Sequence, residues 1–264
     1  MREFKNKNQW ALILGGSSGL GLATARKLAV HGMNIIVVHR SSRAQTERVD
    51  KDFQKIKDMG VEFQQYNQDA VNDHKREVLI QKIEGELDKG AKIKALVHSV
   101  AKGNLKPMTS KDGLSLRNDD FELTINAMGI SLYNWTKSLF ERHLLDADAR
   151  IISFTSEGST KAWENYAAVS AAKSTLESIT RSIALEFAPF GIKANCIQAG
   201  VTDTASLRMI PGSDEIIEHS IKRNPNKRLT TPEDVANVVY LLCKDEASWI
   251  TGSVIQVDGG EHLR

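Results

Sequence analysis

Short apolar segments alternate with amphipathic segments along the whole chain. Seven short runs rich in apolar residues predict β-strands at residues 10–14, 34–38, 61–66, 93–98, 150–155, 192–198 and 254–257. Between them, stretches such as residues 71–87 carry apolar side chains at steps of three and four with charges elsewhere, which is the helix period. This alternation predicts an α/β fold of the Rossmann type, a doubly wound parallel sheet of about seven strands with helices on both faces. In such folds ligands bind at the carboxyl ends of the strands.

Length and composition favour one domain. The chain has 264 residues, of which 41% are hydrophobic, and no repeat or linker interrupts the alternation. We therefore expect residues 1–264 to form a single domain. Only residues 101–117 and 205–225 are long enough to be functional loops. We expect the second of them to form a helical lid over the substrate.

Charge, targeting signals and cysteines exclude several classes of function. The net charge is +2 and no nucleic-acid motif is present, so we expect no nucleic-acid partner. The first apolar run has only five residues, too few for a signal peptide or a membrane span, which predicts a cytoplasmic protein. Cys196 and Cys243 lie in apolar contexts without metal-ligand spacing. We expect them to be buried structural thiols, and we expect no metal site.

A glycine-rich turn follows the first predicted strand. Residues 15–21 read GGSSGLG, and an alanine-rich helical segment begins directly after them. Glycines let the backbone approach a ligand, and the amino end of a helix offers free N–H groups to a pyrophosphate. The turn therefore predicts a dinucleotide site, with a spacing that differs from the common G-x-G-x-x-G pattern.

The end of the second predicted strand predicts the choice of cofactor. A carboxylate there would bind the adenosine ribose of NAD, but residues 39–43 read HRSSR. Arg40 can pair with a 2′-phosphate and stack on adenine, so we expect NADPH rather than NADH. Asp69 and Ala70 follow the third strand, where Asp69 can either reach the adenine amino group or cap the next helix.

Tyr166 and Lys173 lie seven positions apart in a helix-like stretch after the fifth predicted strand. Seven residues are nearly two helical turns, so both side chains are expected on one face, about 20° out of line. A phenol and an ammonium then point to one place. Position 169, four before the lysine, is a valine, which can neither donate nor accept a proton.

These features together resemble the short-chain dehydrogenase/reductase family over nearly the full chain. The glycine turn, the Tyr166/Lys173 pair and residues 251–260 carry the general resemblance. Two features resemble the enoyl-acyl-carrier-protein reductase branch in particular: the six residues between Tyr166 and Lys173, and the sequence HSVA at residues 98–101. Residues 164–173 and 198–204 look closest to the NADPH-dependent form of that reductase.

The resemblance implies a reaction and a set of contacts. Hydride would pass from NADPH to the β-carbon of an enoyl thioester, with Tyr166 donating a hydrogen bond to the thioester oxygen and Lys173 holding the nicotinamide ribose. His98 is interpreted as a packed histidine at a strand end. The expected cofactor contacts are Gly15, Ser17, Ser18, Gly19, Leu20, Gly21, Arg40, Ser41, Asp69, Ala70, Ser99, Val100, Ala101, Lys173, Gly200, Val201, Thr202 and Thr204.

Other residues depart from the enoyl reductase pattern. Position 156, ten before Tyr166, is a serine where widespread enoyl reductases have a second tyrosine. Ser156 instead matches carbonyl-reducing relatives, in which a serine binds the substrate oxygen, and Asn126 matches their asparagine that positions a relay water. Asn126 could equally form a hydrogen bond between helices. Glu157 has no assigned role.

The predicted lid carries an apolar set of side chains and a basic cluster. Leu207, Met209, Ile210, Ile216 and Ile217 could cover an acyl chain or simply pack between helices. The basic cluster could receive an acidic carrier protein or a coenzyme A phosphate, or could be a solvated surface; its members are Arg208, Lys222, Arg223, Lys227 and Arg228.

Three functions remain open from the sequence. The first is NADPH-dependent reduction of an enoyl thioester on acyl carrier protein or coenzyme A, in fatty-acid synthesis. The second is 3-ketoacyl or carbonyl reduction, favoured by Ser156 and Asn126. The third is a non-catalytic dinucleotide-binding sensor. The resemblance also implies a homotetramer with subunit contacts at residues 250–260 and along the helix of Lys173.

Overall fold

Seven parallel strands form one sheet, as the alternation predicts. The computed structural model describes residues 3–111 and 113–264. The strands are β1 Gln9–Leu14, β2 Asn34–His39, β3 Phe63–Asn67, β4 Lys92–His98, β5 Leu145–Thr155, β6 Lys193–Ala199 and β7 Val254–Val257. Their order across the sheet is β3-β2-β1-β4-β5-β6-β7, and each neighbouring pair is parallel. The order reverses between β1 and β4, which opens a crevice at their carboxyl ends.

Helices cover both faces of the sheet. They are α1 Gly19–Val30, α2 Thr46–Lys57, α3 Asp73–Glu86, α4 Asn118–Ile125, α5 Ser131–Glu141, α6 Ala167–Glu186, α7 Ser213–Arg223 and α8 Pro232–Cys243. Helices α1, α2 and α8 contribute Leu28, Phe53 and Val239 to one apolar core. Helices α3, α5 and α6 contribute to a second core on the other face. The predicted Rossmann-type fold is confirmed.

Two strands begin two or more residues away from the prediction, and several other strand ends differ by one residue. Strand β3 begins at Phe63 rather than at 61, because Gly60 turns the chain at φ 73° and pairing with β2 starts only at Phe63. Strand β5 begins at Leu145 rather than at 150. Leu145 pairs with Ile93 and Arg150 pairs with Ala95, so residues 146–149 form an irregularity within the strand.

The two long segments differ in structure. The described residues of segment 101–117 form neither helix nor strand, and the Leu116 N–H donates to the Pro107 carbonyl at 2.9 Å. Segment 205–225 contains a 3₁₀ turn at Leu207–Met209 followed by α7. The predicted lid segment is therefore helical.

Both cysteines are buried and free, as expected from their contexts. Burial raises the pKa of the Cys196 thiol, and it raises the pKa of Cys243 to about 12. Both thiols therefore stay protonated and act as packing groups. None of the described helices is long and apolar enough to cross a bilayer.

One carboxylate holds three cations at the amino end of the sheet. Asp148 binds Lys94 at 2.7 Å, Arg150 at 2.5 Å and Lys193 at 2.7 Å, and the side chains of Lys94 and Arg150 are almost fully buried. Partial burial alone would raise the pKa of Asp148, but the hydrogen bonds from the three cations hold it well below its usual range. Arg150 also donates to the Leu242 carbonyl near the end of α8, so this cluster joins the central strands to that helix.

Replacing Asp148 should strongly destabilise the protein. Asp148→Asn leaves two buried cations without a charged partner, which we expect to lower the free energy of unfolding by about 3 kcal/mol. Urea unfolding measures the change. Glu47→Gln is the control because Glu47 pairs with Lys51 on the exposed surface of α2, and its cost should stay below about 0.5 kcal/mol. Equal effects of the two variants would show that the cluster is not a structural centre.

Candidate active site

A cavity of about 500 Å³ opens at the carboxyl ends of the strands. It lies where the reversal of strand order predicts a ligand site. Most of the predicted site residues line it: Gly15, Ser18, Gly19, Leu20, Arg40, Ser99, Val100, Ala101, Ser156, Tyr166, Lys173, Gly200, Val201, Thr202 and Thr204. The turns after β1, β4, β5 and β6 thus meet around one space.

The structure does not bring every predicted residue to this cavity. Ser17, Gly21, Ser41, Asp69, Ala70 and Asn126 are not part of its wall. Ser41 bonds the His39 ring at 2.9 Å, and the Ala70 carbonyl accepts the Trp135 indole N–H at 2.8 Å. Asn126 is exposed and begins a π-helical turn, Asn126–Ile130, between α4 and α5. Contacts of these residues with a cofactor or substrate stay predictions.

The glycine turn brings two strand ends into backbone contact. Gly15 has φ +85°, and a Cβ there would lie 2.2 Å from the Ser99 carbonyl oxygen, so only glycine fits. Helix α1 begins at Gly19, and its N-cap residue Ser18 provides no side-chain hydrogen bond. The first N–H groups of α1 therefore remain available beside the cavity. This uncapped helix end fits the pyrophosphate of a dinucleotide.

Tyr166 lies at the start of α6 rather than inside it, so the expectation of two residues within one helix was wrong in this detail. Asn165 has φ 60° and turns the chain, and Tyr166 is the N-cap residue with φ −114°. The Tyr166 carbonyl accepts the first helical hydrogen bond, from the Ser170 N–H at 2.8 Å. Tyr166 and Lys173 still line the same cavity, because the cap turns the phenol towards it.

The Tyr166 ring packs between Trp163 and Gly158. The Trp163 and Tyr166 ring centroids are 5.2 Å apart, and a Cβ on Gly158 would lie 2.6 Å from the Tyr166 Cε1 atom. Burial raises the pKa of Tyr166, and the nearby Ser156 hydroxyl acts in the opposite direction. Ser156 lies on the cavity wall, close enough to influence the phenol, but its Oγ atom has almost no exposed surface and forms no well-aligned hydrogen bond with a described residue. Tyr166 is therefore a protonated donor at neutral pH.

Lys173 is a buried cation two turns into α6. Its Nζ atom donates to the Phe154 carbonyl oxygen at 2.7 Å, which fixes the ammonium beside the end of β5. Burial lowers the pKa of Lys173 to about 8, although Cys196 and Glu177 act in the opposite direction. Glu177 itself accepts a hydrogen bond from Thr155 at 2.6 Å. The lysine is thus charged at neutral pH and close to losing its proton.

His98 is a neutral, packed histidine, as expected from the sequence. Its Nε2 atom lies 2.6 Å from Ser131 Oγ, and Ser131 donates its own proton to the Ala127 carbonyl. The network therefore assigns the proton of His98 to Nε2. Burial and the positive charge of Lys173 lower the pKa of His98 to about 3. His98 lines the cavity but is not charged at neutral pH.

Three charged side chains meet at the predicted adenosine end. Asp69 lies 3.8 Å from Arg40 and 3.3 Å from Lys102, and it accepts the Val71 N–H at 2.9 Å. Lys102 lines the cavity together with Arg40. The sequence reading missed Lys102, because its link to Asp69 spans 33 positions and follows from the fold.

The wall of the cavity also contains an unexpected ionic cluster. Glu157, Arg223 and Glu261 all line it, with Arg223 contacting both carboxylates. Glu157 is therefore buried and paired rather than without a role. No group of three or more His, Cys, Asp or Glu side chains among residues 3–111 and 113–264 could hold a metal ion.

The lid supplies part of the predicted apolar lining. Leu207, Met209 and Ile210 line the cavity, whereas Ile216 and Ile217 do not. The basic cluster is largely compensated: Arg208 pairs with Asp203 and Asp214, Lys222 with Glu218, and Arg228 with Asp234. It therefore offers less attraction for an acidic partner than the sequence predicts.

Known proteins resemble this chain over almost its full length. The family described as Enoyl-(Acyl carrier protein) reductase matches residues 15–262. The chain belongs to the short-chain dehydrogenase/reductase family. This short-chain oxidoreductase is 29% identical to a 7alpha-hydroxysteroid dehydrogenase of Paraclostridium sordellii, over 98% of this chain and 94% of the relative. It is 28% identical to the NADH-dependent enoyl-[acyl-carrier-protein] reductase of Enterococcus faecalis, over 98% of each chain.

Solved structures share the fold of this short-chain oxidoreductase. The enoyl-acyl carrier protein reductase of Bacillus cereus superposes with a TM-score of 0.87 at 23% identity, covering 100% of this chain and 99% of the other. At that identity the likeness concerns the fold. Family members bind NAD(P)(H), and the uncapped start of α1 beside the cavity fits that cofactor.

Alkaline pH should inactivate this short-chain oxidoreductase through Lys173. With a pKa of about 8, the ammonium loses its charge as pH rises, while burial keeps Tyr166 protonated. We therefore expect kcat/KM for the nicotinamide cofactor to fall above about pH 8. The Lys173→Arg variant, even if slower, should not show this decrease at high pH, because a guanidinium stays charged. An unchanged decrease in the arginine variant would assign it to another group.

Proposed function

We propose that the protein reduces the 2,3-double bond of an enoyl thioester with NADPH, in fatty-acid synthesis. The observation that carries this proposal is the unequal access of two hydroxyls. Tyr166 and Ser156 both line the cavity, but the Ser156 Oγ atom has almost no exposed surface. Enoyl reduction needs one donor at the thioester oxygen, and Tyr166 supplies it. The spacing of Tyr166 and Lys173 and the HSVA sequence after β4 also support this reaction.

Tyr166, Lys173 and the apolar lid residues each have a distinct role in the proposed reaction. NADPH, when bound, supplies the hydride that adds to the β-carbon of the enoyl thioester. Negative charge then develops on the thioester oxygen, and Tyr166 stabilises it by a hydrogen bond. A proton from solvent then adds to the α-carbon, which gives the saturated thioester. Lys173, held by the Phe154 carbonyl, adds positive potential that favours a more acidic phenol. The apolar side chains of Leu207, Met209 and Ile210 exclude water around the acyl group.

Carbonyl reduction is the second candidate. Ser156 lines the cavity beside Tyr166, and its hydroxyl is close enough to influence the phenol, which is the pairing of hydroxyls that carbonyl reduction uses. The hydroxysteroid dehydrogenase among the relatives supports this possibility. A non-catalytic sensor would bind the cofactor without turnover of any thioester, and the presence of both Tyr166 and Lys173 argues against it.

The cofactor, carrier and assembly complete the proposal. Arg40 on the cavity wall supports NADPH over NADH, although the Enterococcus relative is named for NADH. The acyl group would arrive on acyl carrier protein or coenzyme A in the cytoplasm. A homotetramer is supported by Trp249, which is 96% exposed, and by exposed Ile250 and Leu185 near the predicted contacts.

Substrate preference and two matched variants test the reaction. We expect NADPH oxidation with crotonyl thioester to exceed that with acetoacetyl thioester. Tyr166→Phe should lower enoyl kcat about 100-fold without weakening NADPH binding, because it removes the donor. Ser156→Ala should change enoyl kcat less than about 3-fold, since its hydroxyl is enclosed. Preference for the ketoacyl substrate, together with a large loss in Ser156→Ala, would favour carbonyl reduction instead.

Cofactor selectivity tests the role of Arg40. Arg40→Ala removes the guanidinium expected at the 2′-phosphate, so KM for NADPH should rise about 10- to 100-fold, while KM for NADH changes little. Steady-state kinetics with both cofactors measure the ratio. Arg48→Ala is the control because Arg48 is an exposed cation on α2. Equal changes for both cofactors in Arg40→Ala would contradict the assignment.

A further inference from the structure

Arg223 joins two carboxylates at the wall of the active-site cavity. It is the last residue of α7, and its Nη2 atom lies 2.6 Å from Glu157 Oε2 and 2.8 Å from Glu261 Oε1. Glu157 is 8% exposed, Glu261 is 2% exposed and the Arg223 side chain is 16% exposed. One guanidinium therefore contacts two acids that have little access to water, and Lys161 pairs with Glu157 as a second cation.

Glu157 belongs to the side of the cavity that carries the hydrogen-bond donor. It follows Ser156, and its neighbour Gly158 packs directly on the Tyr166 ring, where a Cβ would lie 2.6 Å from Cε1. The Glu157 carbonyl also accepts the Thr160 N–H at 3.1 Å and the Lys161 N–H at 2.9 Å. A shift of Glu157 would therefore move the surface on which the phenol of Tyr166 rests.

Glu261 contacts the segment that is expected to hold the cofactor. Its Oε2 atom accepts the backbone N–H of Val201 at 3.3 Å. Val201 lies in the segment after β6 that is expected to contact the nicotinamide. Glu261 itself lies in the short 3₁₀ turn at the end of the chain. The two carboxylates thus hold different walls of one site, and Arg223 connects them.

We propose that Arg223 is a positioning residue that sets the distance between the wall that carries Tyr166 and the wall formed by the segment after β6, which is expected to contact the nicotinamide. The hydride must reach the β-carbon while Tyr166 reaches the thioester oxygen of the same substrate, so a small displacement between the two walls would slow the reaction. Because Arg223 ends α7, the bridge also ties the lid helix to both walls. The catalytic consequence rests on the proposed reductase function, whereas the structural linkage does not.

The charges around the bridge give it a distinctive pH response. Glu157 faces Arg223 from α7 and Lys161 from its own turn, and Glu261 lies across the guanidinium. Burial alone would raise the pKa of Glu157, but Arg223 and Lys161 lower it. The Arg264 carbonyl oxygen also lies beside the guanidinium, 3.5 Å from Arg223 Nη1. Without Arg223, the two carboxylates face each other, and the ion pair that remains to them among the described residues is the one with Lys161. Protonation of one acid would then relieve their repulsion.

Arg223→Gln is the main test. We expect its kcat to be about 10- to 100-fold below that of the wild type near pH 8, with KM for the thioester changed less than about 3-fold. The ratio of its kcat to that of the wild type should rise as pH falls to about 6, because protonation replaces the lost cation. A residue that merely supports folding would produce no such recovery.

Removing the charge of Glu157 should restore part of the activity that the Arg223→Gln variant loses. The double variant Glu157→Gln/Arg223→Gln should recover at least about 5-fold of the lost kcat, because no pair of buried carboxylates remains. Arg223→Lys should fall between Arg223→Gln and the wild type, since an ammonium keeps the charge but loses the planar fork. Glu218→Gln, which removes an exposed charge from the same helix, should match the wild type.

Hydrogen exchange provides a readout that does not depend on turnover. Backbone amides in residues 157–166 and 200–204 should exchange faster in Arg223→Gln than in Glu218→Gln, because both walls lose their anchor. If the wild type reduces no thioester, the proposed function fails, and this measurement still decides on the linkage. Unchanged exchange in both segments would overturn the bridge. Unchanged kcat, or a loss of kcat without rescue or pH response, would overturn its positioning role.

Discussion

The site depends on the contact between two strand ends at the reversal of the sheet. Strands β1 and β4 are neighbours, and the Ser99 N–H donates to the Leu14 carbonyl at 2.8 Å just beyond their pairing. Gly15, which follows Leu14, passes so close to the Ser99 carbonyl that no side chain fits between them. This contact opens the start of α1 towards the crevice. The geometry of the glycine-rich turn at residues 15–21, of the segment after β4 and of the cavity therefore depends on this contact.

Burial determines the protonation states of the groups around Tyr166 and Lys173. Lys173 remains beside Tyr166 because its ammonium donates a hydrogen bond to the Phe154 carbonyl, and it forms no ion pair with a carboxylate among residues 3–111 and 113–264. Its positive charge is therefore available to the phenol, while burial lowers its pKa. Burial and this charge together suppress protonation of His98. The lysine therefore titrates near neutral pH, whereas Tyr166 stays protonated and His98 stays neutral.

The sequence predicted features that depend on residues close together in the chain, and it missed contacts between residues that are far apart in the chain. Strand β7 agrees with its predicted range because its apolar run is clearly bounded. The start of α6 was placed too early because periodicity alone does not reveal the turn at Asn165. The contact between Arg223 and Glu157 spans 66 positions, and the one between Arg223 and Glu261 spans 38. No local pattern marks such pairs, whereas the glycine turn carries its geometry in consecutive residues.

The site combines the Tyr166/Lys173 spacing of enoyl reductases with a serine that resembles carbonyl-reducing relatives. The exposure of these side chains matters for the reaction as well as their residue types. Ser156 resembles carbonyl-reducing relatives in the sequence, but the packing of Gly158 on Tyr166 and the buried ion pair of Glu157 enclose the turn that carries it. A hydroxyl takes part in chemistry only where a substrate atom can reach it. The residues that hold this turn therefore determine which reaction Ser156 can support. By this argument the preference between a carbon–carbon and a carbon–oxygen double bond depends on the neighbours of the serine as much as on the serine itself.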